Sequence, residues 1–173
     1  MSSDDIVIRR STQDEGAEVV ELWDRMCREV AGGGPLRPCG RRNLRRMLET
    51  AAFHRDTFCL VAVRPDGAIA GFAMGHLDTG DGLLPGVVGE ARELYAPDAG
   101  LRRRLAAAVV GRLEHEGARV IRSTVAADEP DARAFWAGLG FEADMVVLSR
   151  YVEGPCPGCG EEPGACGSVD EQG

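Results

Sequence analysis

Apolar and polar positions alternate with strand and helix periods in turn along most of the chain. The stretch "DIVIRR" has the two-residue period of a strand, and "TQDE" at Thr12–Glu15 is a capping box that predicts a helix start. "AGGGP" predicts the end of this first helix, and "RRNLRRMLETAAF" predicts a second helix with an arginine-rich outer face. The apolar stripe of the first helix consists of Val19, Leu22, Trp23, Met26 and Val30.

Two strands joined by the turn "RPDG" follow, because Pro65 fixes φ and Gly67 supplies the positive φ that a hairpin needs. A further strand is expected at about Val87–Tyr95, then a helix that ends at Gly117. A short strand "ARVIRSTV", a helix in "DEPDARAFWAGLGF" and a last strand "ADMVVLSRYV" complete the pattern. The predicted order is β-α-α-β-β-β-α-β-α-β. It implies an α/β (α+β) fold with a mixed, mostly antiparallel sheet of six to seven strands and about four helices on both faces.

Composition fits one ordinary domain with a tail. The chain has 173 residues, of which 44% are hydrophobic, and its formal charge of −8 argues against general binding to nucleic acid or to membrane surfaces. It has no apolar run long enough to cross a membrane and opens on an acidic segment, so the expected location is the cytoplasm. We expect a domain over residues 1–152 and an acidic, disordered tail over residues 153–173.

Six cysteines fall into two groups. Those in the domain are expected to be reduced thiols, whereas Cys156, Cys159 and Cys166 lie together in the tail. Tetrahedral zinc sites take four ligands, and no fourth Cys or His follows, so the favoured interpretation is a flexible, redox-sensitive appendage without zinc. A metal site completed by Cys39 or by a second chain is the alternative.

The element order, together with the ending "ARAFWAGLGF", resembles the GNAT superfamily of acyl-CoA-dependent N-acetyltransferases over about Ile6–Val152. In that family the ending is A-x-x-F-Y-x-x-x-G-F, and here Trp136 stands in place of the Tyr. The resemblance implies acetyl-CoA as co-substrate and an amine of a small molecule or a peptide as acceptor, with the chain a monomer or a homodimer. A longer acyl-CoA is a further alternative.

The family binds the CoA pyrophosphate at a strand-to-helix loop, R/Q-x-x-G-x-G/A, and "ELYAPDAGLRRRL" occupies that place here. Counted back from Gly117, Gly100 falls on the middle glycine, Arg102 on the last small residue and Pro97 on the leading Arg or Gln. Counted forward from Pro97, the loop is about three residues short, so by either count the phosphate cradle is degenerate. Either the arginines supply contacts to phosphate that the amides cannot, or they form a solvated basic turn. The cofactor-binding residues that the resemblance implies are Leu94, Ala96, Gly100, Leu101, Arg102, Arg103, Arg104 and Phe135, with the backbones of Leu94 and Ala96 on the pantetheine arm.

The resemblance also implies a catalytic base on the strand before this loop, and Glu90 matches its position. Glu93 is expected on the opposite face of that strand. The indole of Trp136 is not a usable acid, so the acid role is unfilled, taken by water, or taken by a residue such as Tyr95 or Tyr151. His76, near a strand end, is interpreted either as a proton relay or contact for an amine substrate, or, as the favoured interpretation, as a partly buried histidine without a role. A catalytically impaired binding or regulatory module is therefore the alternative to a transferase.

Overall fold

The computed structural model describes residues 5–29, 33–78 and 86–150. Five strands and four α-helices lie in this part of the chain, all within the compact unit Met1–Glu142. In chain order they are β1 (Val7–Arg10), α1 (Gly16–Glu29), α2 (Pro38–Ala51), β2 (Thr57–Val63), β3 (Ile69–Asp78), β4 (Val87–Tyr95), α3 (Ala99–His115), β5 (Ala118–Arg122) and α4 (Pro130–Ala137). Except for the last strand, this is the order that the hydrophobic pattern predicts.

The described strands form a sheet in the order β1-β2-β3-β4-β5. The pairs β1–β2, β2–β3 and β3–β4 are antiparallel, and β4–β5 is parallel. The "RPDG" turn joins β2 to β3 as predicted: Gly67 has a φ of +88°, and its N–H donates to the carbonyl of Arg64 at 2.9 Å. The expectation of a mixed, mostly antiparallel sheet is confirmed, with five strands in the described part of the chain where six to seven were predicted.

The predicted last strand is wrong for the residues of "ADMVVLSRYV" that the structure describes. Residues 143–150 belong to a second unit, Ala143–Gly173, and contain neither helix nor strand. The side chains of Val146 and Leu148 are 83% and 92% exposed. A strand is stable only when its backbone groups pair with a neighbouring strand, and the apolar run of this segment alone does not provide one.

Alternation along the strands divides the core between the two faces of the sheet. On one face, here the α3 face, Phe58 of β2 and Ala73 of β3 pack with Leu105 of α3 and Trp136 of α4. On the other, here the α1/α2 face, Val61 and Phe72 pack with Val19 of α1 and Leu48 of α2. The helices on both faces confirm the predicted layering. None of the described helices is long and apolar enough to cross a membrane.

The predicted capping box is present at the start of the short 3₁₀ turn that leads into α1. The N–H of Thr12 donates to Oε2 of Glu15 at 2.7 Å, and Arg9 of β1 donates to both carboxylate oxygens, at 2.6 and 2.9 Å. These hydrogen bonds, with Arg9 contributing most, lower the pKa of Glu15 from 4.5 to about 2. The Glu15 carboxylate thus ties β1 to the entry of α1.

The Glu15 carboxylate should make the free energy of unfolding depend on pH in the acidic range. The native pKa of Glu15 is below its unfolded value, so its stabilisation is fully present above about pH 4.5 and is lost as the pH falls toward 2. Because solvent screens the half-exposed Arg9, we expect acid to lower the free energy of unfolding of the wild type by about 1–2 kcal/mol through this group. Glu15→Gln should not show this acid-dependent decrease. Urea unfolding at pH 6, 4 and 2.5 measures it. Asp14→Asn, on an exposed neighbour, should keep the wild-type pH dependence, and an equal slope in Glu15→Gln would contradict the assignment.

Candidate functional site

The site expected from the sequence lies where β4 and β5 separate. Their parallel pairing runs from Val87 to Glu90 on β4 and ends at Arg122 on β5. β4 continues along β3 to Tyr95. Among the described strands, the edge of β4 that faces β5 is therefore open after Glu90, and its backbone N–H and C=O groups can bind an extended ligand.

A β-bulge interrupts β4 at this opening. Ala91 pairs with Gly75 and Leu94 pairs with Ala73, so β4 advances three residues where β3 advances two. Ala91 and Leu94 consequently both pack on the α3 face. Glu90 and Glu93, each adjacent to one of them, share the α1/α2 face, so the expectation that they lie on opposite faces is wrong.

Four polar side chains form a row across the α1/α2 face, here called the polar row. It consists of Thr57 of β2, His76 of β3, Glu90 of β4 and Arg122 of β5, each the register partner of the next. Their neighbours Phe58, Leu77, Ala91 and Ile121 pack on the α3 face. Oγ1 of Thr57 lies 2.9 Å from Nδ1 of His76, and Nε of Arg122 is buried without a partner among the described residues. The candidate base is thus flanked by an imidazole and a guanidinium.

The junction between β4 and α3 is short, since Tyr95 ends the strand and Ala99 begins the helix. Asp98 is the N-cap of α3, and its Oδ1 accepts from the N–H of Leu101 at 2.7 Å. Among the described residues the amides of Ala99 and Gly100 have no partner, as is usual in a first helical turn. The place where an anion would meet the helix therefore carries two unpartnered amides and a carboxylate of the protein.

The three arginines after Gly100 each bind a backbone carbonyl of the protein. Arg102 Nε donates to the carbonyl of Ala96 at 3.2 Å, Arg103 to that of Gly138 after α4 at 2.9 Å, and Arg104 to that of Ile6 before β1 at 2.8 Å. The triplet thus fastens the start of α3 to three neighbouring segments, a structural role that the sequence-based alternatives did not include. Because a guanidinium has five N–H donors, these contacts leave donors of Arg102 and Arg103 for an anion.

The aromatic candidates are held by packing. Tyr95 is buried on the α1/α2 face, and its hydroxyl donates to Oε1 of Glu29 at 2.8 Å. Burial, followed by this hydrogen bond, raises the pKa of Tyr95. Trp136 is buried on the α3 face, with Phe135 and Phe141 edge-on at 5.5 and 4.9 Å. These contacts do not favour Tyr95 as the proton donor, because its proton is already engaged with a carboxylate.

Leu94, Ala96 and Leu101 lie along the opening, but their side chains belong to the α3-face core. Leu101 and Ala96 are 2% and 0% exposed, so they can offer a ligand only backbone atoms. The N–H of Leu101 and the carbonyl of Ala96 are the atoms already bound by Asp98 and Arg102. A ligand there has to share or replace these two contacts.

Sequence reasoning missed Thr57, Arg122 and Asp98. Asp98 carried a signal, since Asp before a helix is a preferred N-cap. Counting outward from the "RPDG" turn pairs Thr57 with Gly75, and an irregularity between Ala62 and Val63 moves that partner to His76. The polar row therefore depends on a register shift that no sequence pattern announces.

The described residues hold no group of three or more His, Cys, Asp or Glu side chains arranged to bind a metal ion. In this part of the chain Cys39 and Cys59 are buried, and burial raises the pKa of the Cys59 thiol to about 12. The tail residues Cys156, Cys159 and Cys166 lie outside the described residues, as does Tyr151.

Solved structures resemble this chain over most of their length. The aminoglycoside N-acetyltransferase AAC(6')-Iy, in complex with CoA, gives a TM-score of 0.68 at 18% identity, covering 84% of this chain and 94% of that one. A Trypanosoma brucei acetyltransferase gives 0.65 at 18% identity, covering 86% and 100%. A transcriptional regulator from Bacillus halodurans gives 0.70 at 17% identity, covering 85% and 99%.

No protein-family profile matches the sequence, and no curated protein matches it. Structural similarity at this level of sequence identity establishes the fold alone. The element order, the mixed sheet that opens after Glu90 and the acetyltransferase structures agree on one assignment. The chain has the fold of the GNAT N-acetyltransferases.

Proposed function

We propose that the protein is an acyl-CoA-dependent N-acetyltransferase that moves an acetyl group from acetyl-CoA to an amine of a small molecule or a peptide. The observation that carries the proposal is the opening of β4 from β5 after Glu90, directly before the N-terminus of α3. An extended pantetheine arm would pair with the open edge at Leu94 and Ala96, and the phosphates would meet the turn Gly100–Arg104. The CoA in the AAC(6')-Iy structure supports this choice of ligand.

Acetyl transfer needs an uncharged amine, and Glu90 is the proposed base. Its half-buried carboxylate lies where the β4–β5 pairing ends, on the α1/α2 face. It would take a proton from the acceptor ammonium, directly or through water, so that the nitrogen lone pair attacks the thioester carbonyl.

The leaving CoA thiolate would receive its proton from solvent. The buried indole of Trp136 is not an acid in the working pH range, and the Tyr95 hydroxyl is engaged with Glu29. A thiolate can leave without protonation by the enzyme, so the absence of a tyrosine at position 136 is compatible with turnover.

A second candidate is a GNAT-fold module that binds a ligand without catalysis and serves regulation. The observation that favours it is the Asp98 carboxylate at the N-terminus of α3, where the pyrophosphate would have to bind. The transcriptional regulator from Bacillus halodurans is a protein of this fold described by a regulatory role. Turnover separates the two functions.

Isothermal titration with acetyl-CoA, followed by a thiol-release assay over a panel of amines, tests the proposal. Binding with amine-dependent release of CoA supports the transferase. Binding without turnover for any amine supports the regulatory module. A ligand at a hundred times its dissociation constant adds about 2.7 kcal/mol of stability, so the absence of both heat and thermal shift at millimolar acetyl-CoA would rule out the transferase and any module that binds acetyl-CoA.

Removing the negative charge at the start of α3 should strengthen cofactor binding. In Asp98→Asn the amide oxygen still caps the N–H of Leu101, and Asn is as good an N-cap as Asp. Since one charge at a helix terminus is worth about 0.3–1 kcal/mol, we expect the Kd for acetyl-CoA to fall about two- to fivefold. Titration calorimetry measures the change.

The matched control is Asp131→Asn, which removes an exposed acid from the first turn of α4 and should leave this Kd unchanged. Weaker binding by Asp98→Asn, with an unchanged melting temperature, would contradict a pyrophosphate at the start of α3.

A further inference from the structure

His76 lies between two polar side chains, one on each neighbouring strand. Its Nδ1 lies 2.9 Å from the Thr57 hydroxyl, which fixes the ring orientation and leaves Nε2 for a second partner. The register partner of His76 on the other side is Glu90. Side chains directly opposite in an antiparallel pair have their Cβ atoms about 4.5–5.5 Å apart, within reach of one another.

We propose that His76 is a positioning residue that relays the acceptor's proton from Glu90 to solvent, with the Thr57 hydroxyl accepting from Nδ1–H. This inference rests on the proposed transferase function. It concerns the order Thr57–His76–Glu90 within the polar row, which repeats the arrangement in which an imidazole serves a reacting group and a third residue holds its tautomer.

Each turnover removes two protons from the acceptor nitrogen. The acceptor ammonium gives one proton to the Glu90 carboxylate, which passes it to unprotonated Nε2 of neutral His76, and the imidazolium releases it to solvent. The amine nitrogen then forms the C–N bond to the acetyl carbonyl, the C–S bond breaks, and its electron pair stays on sulfur. The second proton of the nitrogen reaches the CoA thiolate through solvent, so the products are the amide, CoA and one proton.

The charged groups around His76 make a relay useful. Those on the same face are Glu90 and Glu93 of β4, Arg92 beside the bulge, Arg122 of β5 and Asp78 of β3. Arg122 is the register partner of Glu90 on its other side, so a guanidinium side chain stands across the strand pair from the carboxylate that would pass its proton to His76. An imidazole changes charge between pH 5 and 8, which lets it clear the proton under neutral conditions.

Two hydroxyl variants test the relay without removing the histidine. Thr57→Ser keeps the acceptor for Nδ1–H, and Thr57→Val keeps the shape and loses it. We expect kcat to fall about tenfold in Thr57→Val and in His76→Asn, with the KM for acetyl-CoA unchanged, and to stay near wild type in Thr57→Ser. The dependence of kcat on pH between 5 and 8 should weaken in His76→Asn. His54→Asn, on an exposed histidine, is the control and should change none of these.

An NMR measurement does not depend on activity. Imidazole ¹H–¹⁵N spectra of the wild type, with the His76 signals assigned from His76→Asn, should show the Nδ1–H tautomer, and Thr57→Val should lose that preference. An Nε2–H tautomer in the wild type, or unchanged kcat and pH dependence in both His76→Asn and Thr57→Val while the wild type turns over, would overturn the relay. If the wild type neither binds acetyl-CoA nor turns over, the proposed function fails, whatever the tautomer.

Discussion

Glu90→Gln should lower kcat/KM for the amine about 10²- to 10⁴-fold while acetyl-CoA binds as in the wild type. This is the usual contribution of a positioned general base. The amide keeps the size and polarity of the side chain but cannot accept the ammonium proton. Acetyl-CoA affinity should be preserved, because Glu90 is on the α1/α2 face whereas the cofactor would follow the β4 edge and the start of α3. Steady-state thiol release and titration calorimetry measure the two quantities.

Glu93→Gln is the matched control for this prediction. Both carboxylates are half-buried on the same strand and share the α1/α2 face because of the bulge. A large loss of turnover in Glu93→Gln with little change in Glu90→Gln would transfer the role of base to Glu93. An equal weakening of acetyl-CoA binding in both would mean that the carboxylates act on the cofactor.

The local rules of the sequence predicted the parts of the fold that depend on short-range interactions. "RPDG" predicted a turn because proline and glycine fix its backbone angles, and Gly67 has the positive φ expected. The helix predicted to end at Gly117 ends there, since a residue with φ of +94° terminates α3. In contrast, α2 begins at Pro38, before the first apolar position of its stripe, because proline at N1 needs no partner for a missing N–H.

The finer geometry of the site was not predictable in the same way. The bulge between Ala91 and Leu94 exchanges the faces of every residue beyond it, and its cause is the pairing of β4 with β3. The apolar run after Glu142 likewise predicted a strand. Whether such a segment forms a strand depends on a pairing edge, which is a property of the whole fold.

Gly71→Ala should destabilise the domain at the place where β4 turns toward α3. A Cβ on Gly71 would lie 2.7 Å from the backbone oxygen of Tyr95 and 2.8 Å from Cβ of Ala96, and neither atom can rotate away. Overpacking of this kind costs about 1–3 kcal/mol, or more where backbone must move, which corresponds to a melting temperature about 5–10 °C lower. Thermal unfolding measures the change.

Gly111→Ala is the control, and its expected change in stability has the opposite sign to that of Gly71→Ala. Gly111 lies inside α3, and a Cβ there meets no atom within 4 Å. Alanine should therefore raise stability by about 0.5–1 kcal/mol through helix propensity alone. Because the clash at Gly71 is with the backbone that begins the β4–α3 junction, Gly71→Ala should also weaken acetyl-CoA binding at temperatures where the variant is folded, and Gly111→Ala should not. If Gly71→Ala left both stability and binding unchanged, the close approach of β3 to Tyr95 and Ala96 would not be what sets the geometry of the junction.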